Sequence, residues 1–272
     1  MWRRALVFGL LSVAALPLAA WLVHPWPIAL RWADPQTTAY MEYRLEEARA
    51  AGYPLEITHS WIPLTEIPPE LQRAVLIAED DRFYEHRGVD WEALAEEVRY
   101  RGTIPPSLRD PADRAAIAEA FTYLREHRGE VRGRSTLTQQ LARNLYLSPD
   151  RSFVRKGQEL IIAQRLEWFL PKDRILELYL NIAEFGPGLF GVQAAAERYF
   201  GIPASSLSLR QAASLAATLP HPLTSNPDHR PAQMAWRRDL ILQRMGGGLA
   251  PAVPNPLDEP QPVPSPPESD SR

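Results

Sequence analysis

A mainly α-helical globule on a single N-terminal membrane-spanning helix is the architecture that this chain predicts. Three observations carry the expectation. Apolar residues recur at helical spacing through nearly the whole middle of the chain. An uncharged apolar run occupies the N-terminus, while the C-terminus turns proline-rich. The 272 residues suit one domain with appendages better than two full domains.

The elements follow in order. Behind Met1-Trp2-Arg3-Arg4, residues 5–23 (ALVFGLLSVAALPLAAWLV) hold no charge. At about 1.5 Å per helical residue, such a run crosses a hydrocarbon layer of roughly 30 Å. Arg3 and Arg4 then stay cytoplasmic and the remainder lies outside. A cleaved signal peptide cut near Ala19-Ala20 is the alternative. The anchor is preferred because the run exceeds a usual signal core, and Trp21, Trp26 and Trp32 suit a membrane interface. This divides the chain into an anchor (1–30), a juxtamembrane helix or linker (31–54), a globular domain (55–245) and a disordered tail (246–272) that buries too little apolar area to offset chain entropy.

Within the domain, helical periodicity marks residues 70–79, 91–100, 112–128, 136–145, 154–170, 172–180, 189–200, 209–218 and 231–245, and residues 37–51 precede it. Pro, Gly and Asn punctuate the ends. Residues 55–64 (LEITHSWIPL) alternate weakly and are the one predicted strand. Residues 99–132 mix helical pieces with turn residues and charges, and read as an inserted surface loop in preference to a mobile flap or a membrane-contacting element. GPGLFG, residues 186–191, reads as a tight turn, too short and wrongly placed for a nucleotide loop. A net charge of -3 gives a nucleic-acid partner no support, and the absence of cysteine excludes disulfides and thiolate chemistry.

Two carboxylates stand where apolar residues belong. Glu79 follows Leu71, Val75 and Leu76 on one helical stripe, and Glu159 shares a face with Ile162, Ala163 and Leu166. Burial disfavours ionisation and tunes such groups for acid or base work, although most acids so placed are structural, satisfied by Arg or backbone donors. Between them runs RGRSTLTQQLARNLYLSPDRS, residues 132–152. Thr136 is expected to cap its helix in a capping box with Gln139. Thr136, Gln140, Arg143 and Asn144 then line one polar ridge beside Leu137, Leu141 and Leu145. With Arg151, Arg155 and Lys156 close behind, that ridge suits a diphosphate, the bland alternative being a solvated face. Glu79, Asp80, Asp81, Glu85 and His86 are oxygen-rich enough for Mg²⁺ or Mn²⁺ but lack a recognised ligand spacing, so His86 is expected to orient a neighbour.

EDDRFYEHRG, GRSTLTQQLARNLYL, RKGQE, KDRILELYLN and GPGLFGVQAAAERYFG stand in the order of the motifs of glycosyltransferase family 51, the peptidoglycan glycosyltransferases. The chain resembles their monofunctional biosynthetic branch over residues 61–245. The resemblance implies a lysozyme-like fold that polymerises lipid II into β-1,4-linked glycan, releasing undecaprenyl diphosphate with inversion. It makes Glu79 the general base and sets Glu159 on the donor side near the departing diphosphate, with Asp80 and His86 supporting. Ser135, Thr136, Gln140, Arg143, Asn144, Arg151 and Lys156 fall on positions that contact diphosphate and sugars. It implies lipid II and the growing glycan strand as substrates, cell-wall synthesis or division proteins as candidate partners, and a single-pass bacterial inner-membrane location with the catalytic domain periplasmic. No cofactor is required; a divalent ion (Mg²⁺ or Mn²⁺) at the diphosphate is the one it admits. Arg143 stands where the family usually has Lys, a planar fork in place of a point charge, and residues 89–133 are longer than usual. A lysozyme-like lytic enzyme and a non-catalytic membrane-anchored scaffold are the rival readings.

Overall fold

Leu71, Ala74 and Val75 recur at three- and four-residue steps, and helix α2 (Pro69–Glu79) winds so that all three are fully buried. The same rule builds the rest of this computed structural model, which describes residues 25–127, 135–149 and 152–246. Before α2 come α1 (Ala39–Ala51) and β1 (Thr58–His59); after it come α3 (Trp91–Glu97), α4 (Pro111–Glu126), α5 (Leu137–Tyr146), α6 (Phe153–Phe169) and α7 (Lys172–Ile182). A hairpin of β2 (Glu184–Gly186) and β3 (Leu189–Phe190) follows, then α8 (Val192–Phe200), α9 (Leu209–Thr218) and α10 (Pro231–Met245). The mainly helical expectation holds.

Two helix groups share one core. α2, α9 and α10 pack together on one side, and α5 packs on α6 and α7 on the other, with α1 laid across α5. Leu141 of α5, Ile162 and Leu166 of α6, Leu178 of α7 and Leu215 of α9 are all inaccessible to solvent within a single cluster. Arg44 of α1 grips Glu184 through two parallel bonds of 2.9 and 2.8 Å, an arrangement that fixes orientation as well as distance.

The chain enters the domain on the α6–α7 side. Arg165, fully buried, lies 4.4 Å over the Trp26 ring and donates to the Pro25 carbonyl at 3.0 Å. Arg174 donates to the carbonyls of Leu30 (2.8 Å) and Ala33 (2.9 Å). The predicted membrane span at 5–23 and the tail beyond Gly246 lie outside the described residues, among which no helix is long and apolar enough to cross a membrane.

Three expectations need correction. The strand predicted over 55–64 shrinks to Thr58–His59, which pairs in parallel with β3. GPGLFG is more than a turn: its Leu-Phe forms β3, the middle strand of a three-stranded sheet, and the helix expected from 189 begins at Val192. Glycine is required there, because Gly188 (φ 69°) and Gly191 (φ 83°) are left-handed and a Cβ would strike the carbonyls of Glu56 and Asn181. Residues 99–127 are not plain loop either. Buried Asp113 accepts from Thr103 N (2.8 Å), Thr103 Oγ1 (2.6 Å) and Ser107 N (2.7 Å), folding the turn onto the start of α4.

Candidate active site

The site lies in the seam between the two helix groups, and Glu79 brings α2 to it. α2 ends because Asp80 leaves the helical region (φ -163°, ψ 77°). Arg244 of α10 donates to the Ile77 carbonyl at 2.6 Å, satisfying a terminal acceptor that the helix itself leaves open. Glu79, half-buried, then accepts from Gln140 Nε2 at 2.8 Å. Asp80 is buried and turns the other way. Its Oδ2 accepts the Leu137 amide at 2.9 Å, the first turn of α5, and its Oδ1 lies 2.9 Å from His86 Nε2. A carboxylate at a helix N-terminus is favoured by the orphan donors and the dipole alike. His86, expected to orient a neighbour, lies within hydrogen-bond distance of both Asp80 oxygens.

The start of α5 holds most of the remaining candidates. Thr136 is the N-cap, accepting the Gln139 amide at 3.3 Å and donating to the Gly88 carbonyl at 2.7 Å. The expected capping box is only half made. The Gln139 amide reaches instead to the Gly88 carbonyl (3.0 Å) and accepts from Lys156 Nζ (2.8 Å), which ties the loop after His86 to α5 and α6. Gln140 spans three neighbours. Its Nε2 donates to Glu79 and to the Ser135 carbonyl (3.3 Å), and its Oε1 accepts from Tyr179 Oη at 3.0 Å.

On α6, Glu159 has no solvent exposure, and both of its oxygens are engaged. Arg155 donates to Oε2 at 2.7 Å and Lys156 bonds Oε1. Lys156 also donates to Ser135 Oγ at 2.9 Å. A continuous path therefore runs from Glu79 through Gln140, Ser135 and Lys156 to Glu159. Beside it, a groove of about 680 Å³ opens between Thr136, Gln139 and Lys156 on one wall and Asp90, Trp91 and Leu94 on the other.

Arg143 and Asn144 follow on the next turn of α5. Asn144 is buried; Arg143 is partly exposed and forms no ion pair among the described residues. Its positive charge opposes, without cancelling, the effect of burial that pushes the Tyr40 and Tyr179 phenols above their ordinary value. Arg151 lies outside the described residues. The acidic cluster disperses: Asp81 pairs with Arg244 (2.7 Å) and Glu85 with Arg82 (3.2 Å). Among the described residues no group of three or more His, Asp or Glu is placed to hold a metal.

Tyr179, which sequence reasoning passed over, belongs to this site. It looks like one more core position of α7 and is 1% exposed. The signal that marks it is a hydroxyl on an otherwise apolar face, since a buried phenol needs a partner.

A family profile described as Transglycosylase matches residues 48–103 and 111–246. The chain belongs to the transglycosylase family. Residues 104–110, within the stretch expected to be longer than usual, fall outside the match. A biosynthetic peptidoglycan transglycosylase of Janthinobacterium sp. (strain Marseille) is 39% identical over 90% of this chain and 95% of its own length. Proteins of the same description from Bordetella avium (37%, covering 88% of each chain) and Burkholderia pseudomallei (39%, 92% of this chain and 91% of the relative) are similar over comparable spans.

Proposed function

We propose that this transglycosylase polymerises lipid II into β-1,4-linked glycan outside the bacterial inner membrane, with Glu79 as general base. An alcohol is too weak an acid to attack unaided, so catalysis needs a positioned proton acceptor. Glu79 takes the proton of the acceptor's 4-hydroxyl as that oxygen bonds to C1 of the donor sugar. The C1–O bond to the diphosphate breaks with its electron pair, the diphosphate departs, and the centre inverts. Lys156 and Arg143 offset the developing negative charge, with Ser135, Thr136, Gln140, Asn144 and Arg151 holding sugars and phosphates. Asp80 and His86 fix the N-terminus of α5 against the end of α2 and so set the distance from base to ridge.

The single observation that carries this reading is the hydrogen-bonded path joining Glu79 to Glu159 through Gln140, Ser135 and Lys156. A carboxylate linked in this way to neighbouring cations supports a base-assisted displacement of diphosphate, which needs a proton acceptor close to positive charge. Glu159 works on this reading by aiming Lys156. A divalent ion at Glu159 does not fit its surroundings, because an ammonium and a guanidinium already take both oxygens.

A lysozyme-like course of the chain belongs to this reading. So does a single-pass anchor over residues 5–23 with a cytoplasmic N-terminus, supported by the uncharged run and by the grip of Arg165 and Arg174 on the segment that follows it. Purified protein incubated with lipid II should yield polymer, and Glu79→Gln should lose nearly all of that activity while remaining folded. Soluble muropeptides released from sacculi, with no polymer from lipid II, would instead identify a lytic enzyme.

A further inference from the structure

We propose that Tyr179 is a positioning residue for this reaction, fixing the Gln140 carboxamide so that its NH₂ end faces Glu79. The inference rests on Glu79 being the base. Three groups meet around one amide: the phenol donates to Oε1 at 3.0 Å, while Nε2 donates to Glu79 Oε2 at 2.8 Å and to the Ser135 carbonyl at 3.3 Å. Reversing the amide would set its oxygen against a carboxylate and a carbonyl, two acceptors with no proton between them. The arrangement is therefore polarised from end to end. The phenol, a donor held on the rigid α7, occupies the oxygen end and leaves the two amide protons for the acceptors.

The surroundings sharpen the point. Tyr179 is 1% exposed, with no access to water as an alternative partner, and burial pushes its phenol well above the ordinary value, so it stays protonated and able to donate. The charged groups around this cluster are Glu79 at the end of α2, Asp80 just beyond it, Arg143 on α5 and Arg237 on α10, the last within electrostatic reach of Glu79. None of them touches the Gln140 oxygen among the described residues. Without the phenol, the amide is free to swing away from Glu79, and the base loses both a fixed position and a donor that favours its charged form.

The experiment measures kcat, KM, the pH profile and the melting temperature of polymerisation from lipid II for the wild type, Tyr179→Phe, Gln140→Ala and the double variant. Tyr179→Phe should lower kcat about tenfold, the effect of one lost hydrogen bond at the reacting carboxylate, with KM little changed. The acid limb should move to higher pH, because a carboxylate that loses a donor is protonated more easily. The double variant should be no slower than Gln140→Ala alone. Losses that multiply in the double variant, or an unmoved acid limb with kcat falling only in step with melting temperature, would overturn the proposal. If Tyr179→Phe fails to fold, Gln140→Asn, one methylene too short to reach both neighbours, must show the same acid-limb shift or the proposal is lost. Activity retained in Glu79→Gln would sink the underlying base assignment instead, whatever Tyr179 does.

Discussion

The end of α2 and the first turns of α6 each deliver a glutamate to the same seam, and they treat it differently. Glu79 is half-buried and meets a neutral amide. Glu159 is sealed from solvent and meets a guanidinium and an ammonium. Both oxygens of Glu159 are held by cations, whereas Glu79 Oε2 is held by the Gln140 amide. On the proposed mechanism, proton transfer falls to Glu79 and the aiming of cations to Glu159, a division that sequence spacing alone leaves symmetrical.

The largest effect should come from breaking that division at Glu79. Glu79→Gln keeps the shape of the side chain and removes the proton acceptor, so polymer formation should fall by about 10²–10⁴-fold with the melting temperature nearly unchanged. Glu159→Gln should differ in kind, losing activity and stability together. The replaced hydrogen bonds involve charged groups, each with a typical worth of about 1.5–3 kcal/mol, and the lower end applies because Lys156 is 40% exposed. A Glu159→Gln protein that melts like the wild type would refute its anchoring role.

Thr136→Ala should come next. It removes the helix cap and the bond to Gly88, at a cost of about 1 kcal/mol, visible as a fall of a few degrees in thermal melting. Asp113 sets the lower limit as a carboxylate with neutral donors and no part in the chemistry. The Thr103 hydroxyl first, then the backbone amides of Thr103 and Ser107, hold it down from 3.8 to about 2. A lowered folded value stabilises above 3.8, and this stabilisation is lost as pH falls toward 2. Amide exchange at Thr103 and Ser107 should therefore accelerate, relative to intrinsic rates, across that window and remain flat above it.

Much of this arrangement was legible beforehand. Leu71 and Val75 bury the stripe that carries Glu79, and Ile162, Ala163 and Leu166 bury the face that carries Glu159, as helical spacing requires. The polar ridge of Thr136, Gln140, Arg143 and Asn144 follows from the same arithmetic. The hairpin at 184–190 was not legible, since its strands are two and three residues long and β3 gains its second partner from β1, over a hundred residues earlier. Gln139 misled because its choice between its own N-cap and the Gly88 carbonyl depends on a loop that only folding brings near.

The sequence by itself determined the helices, their buried faces and the residue types offered to the seam, because period and burial are local properties of a chain. Tertiary structure decided what each polar group meets: a neutral amide for Glu79, two cations for Glu159, an amide oxygen for Tyr179. Hydrogen bonding acts over about 3 Å and is blind to separation along the chain, so those partners exist only once the helices have packed.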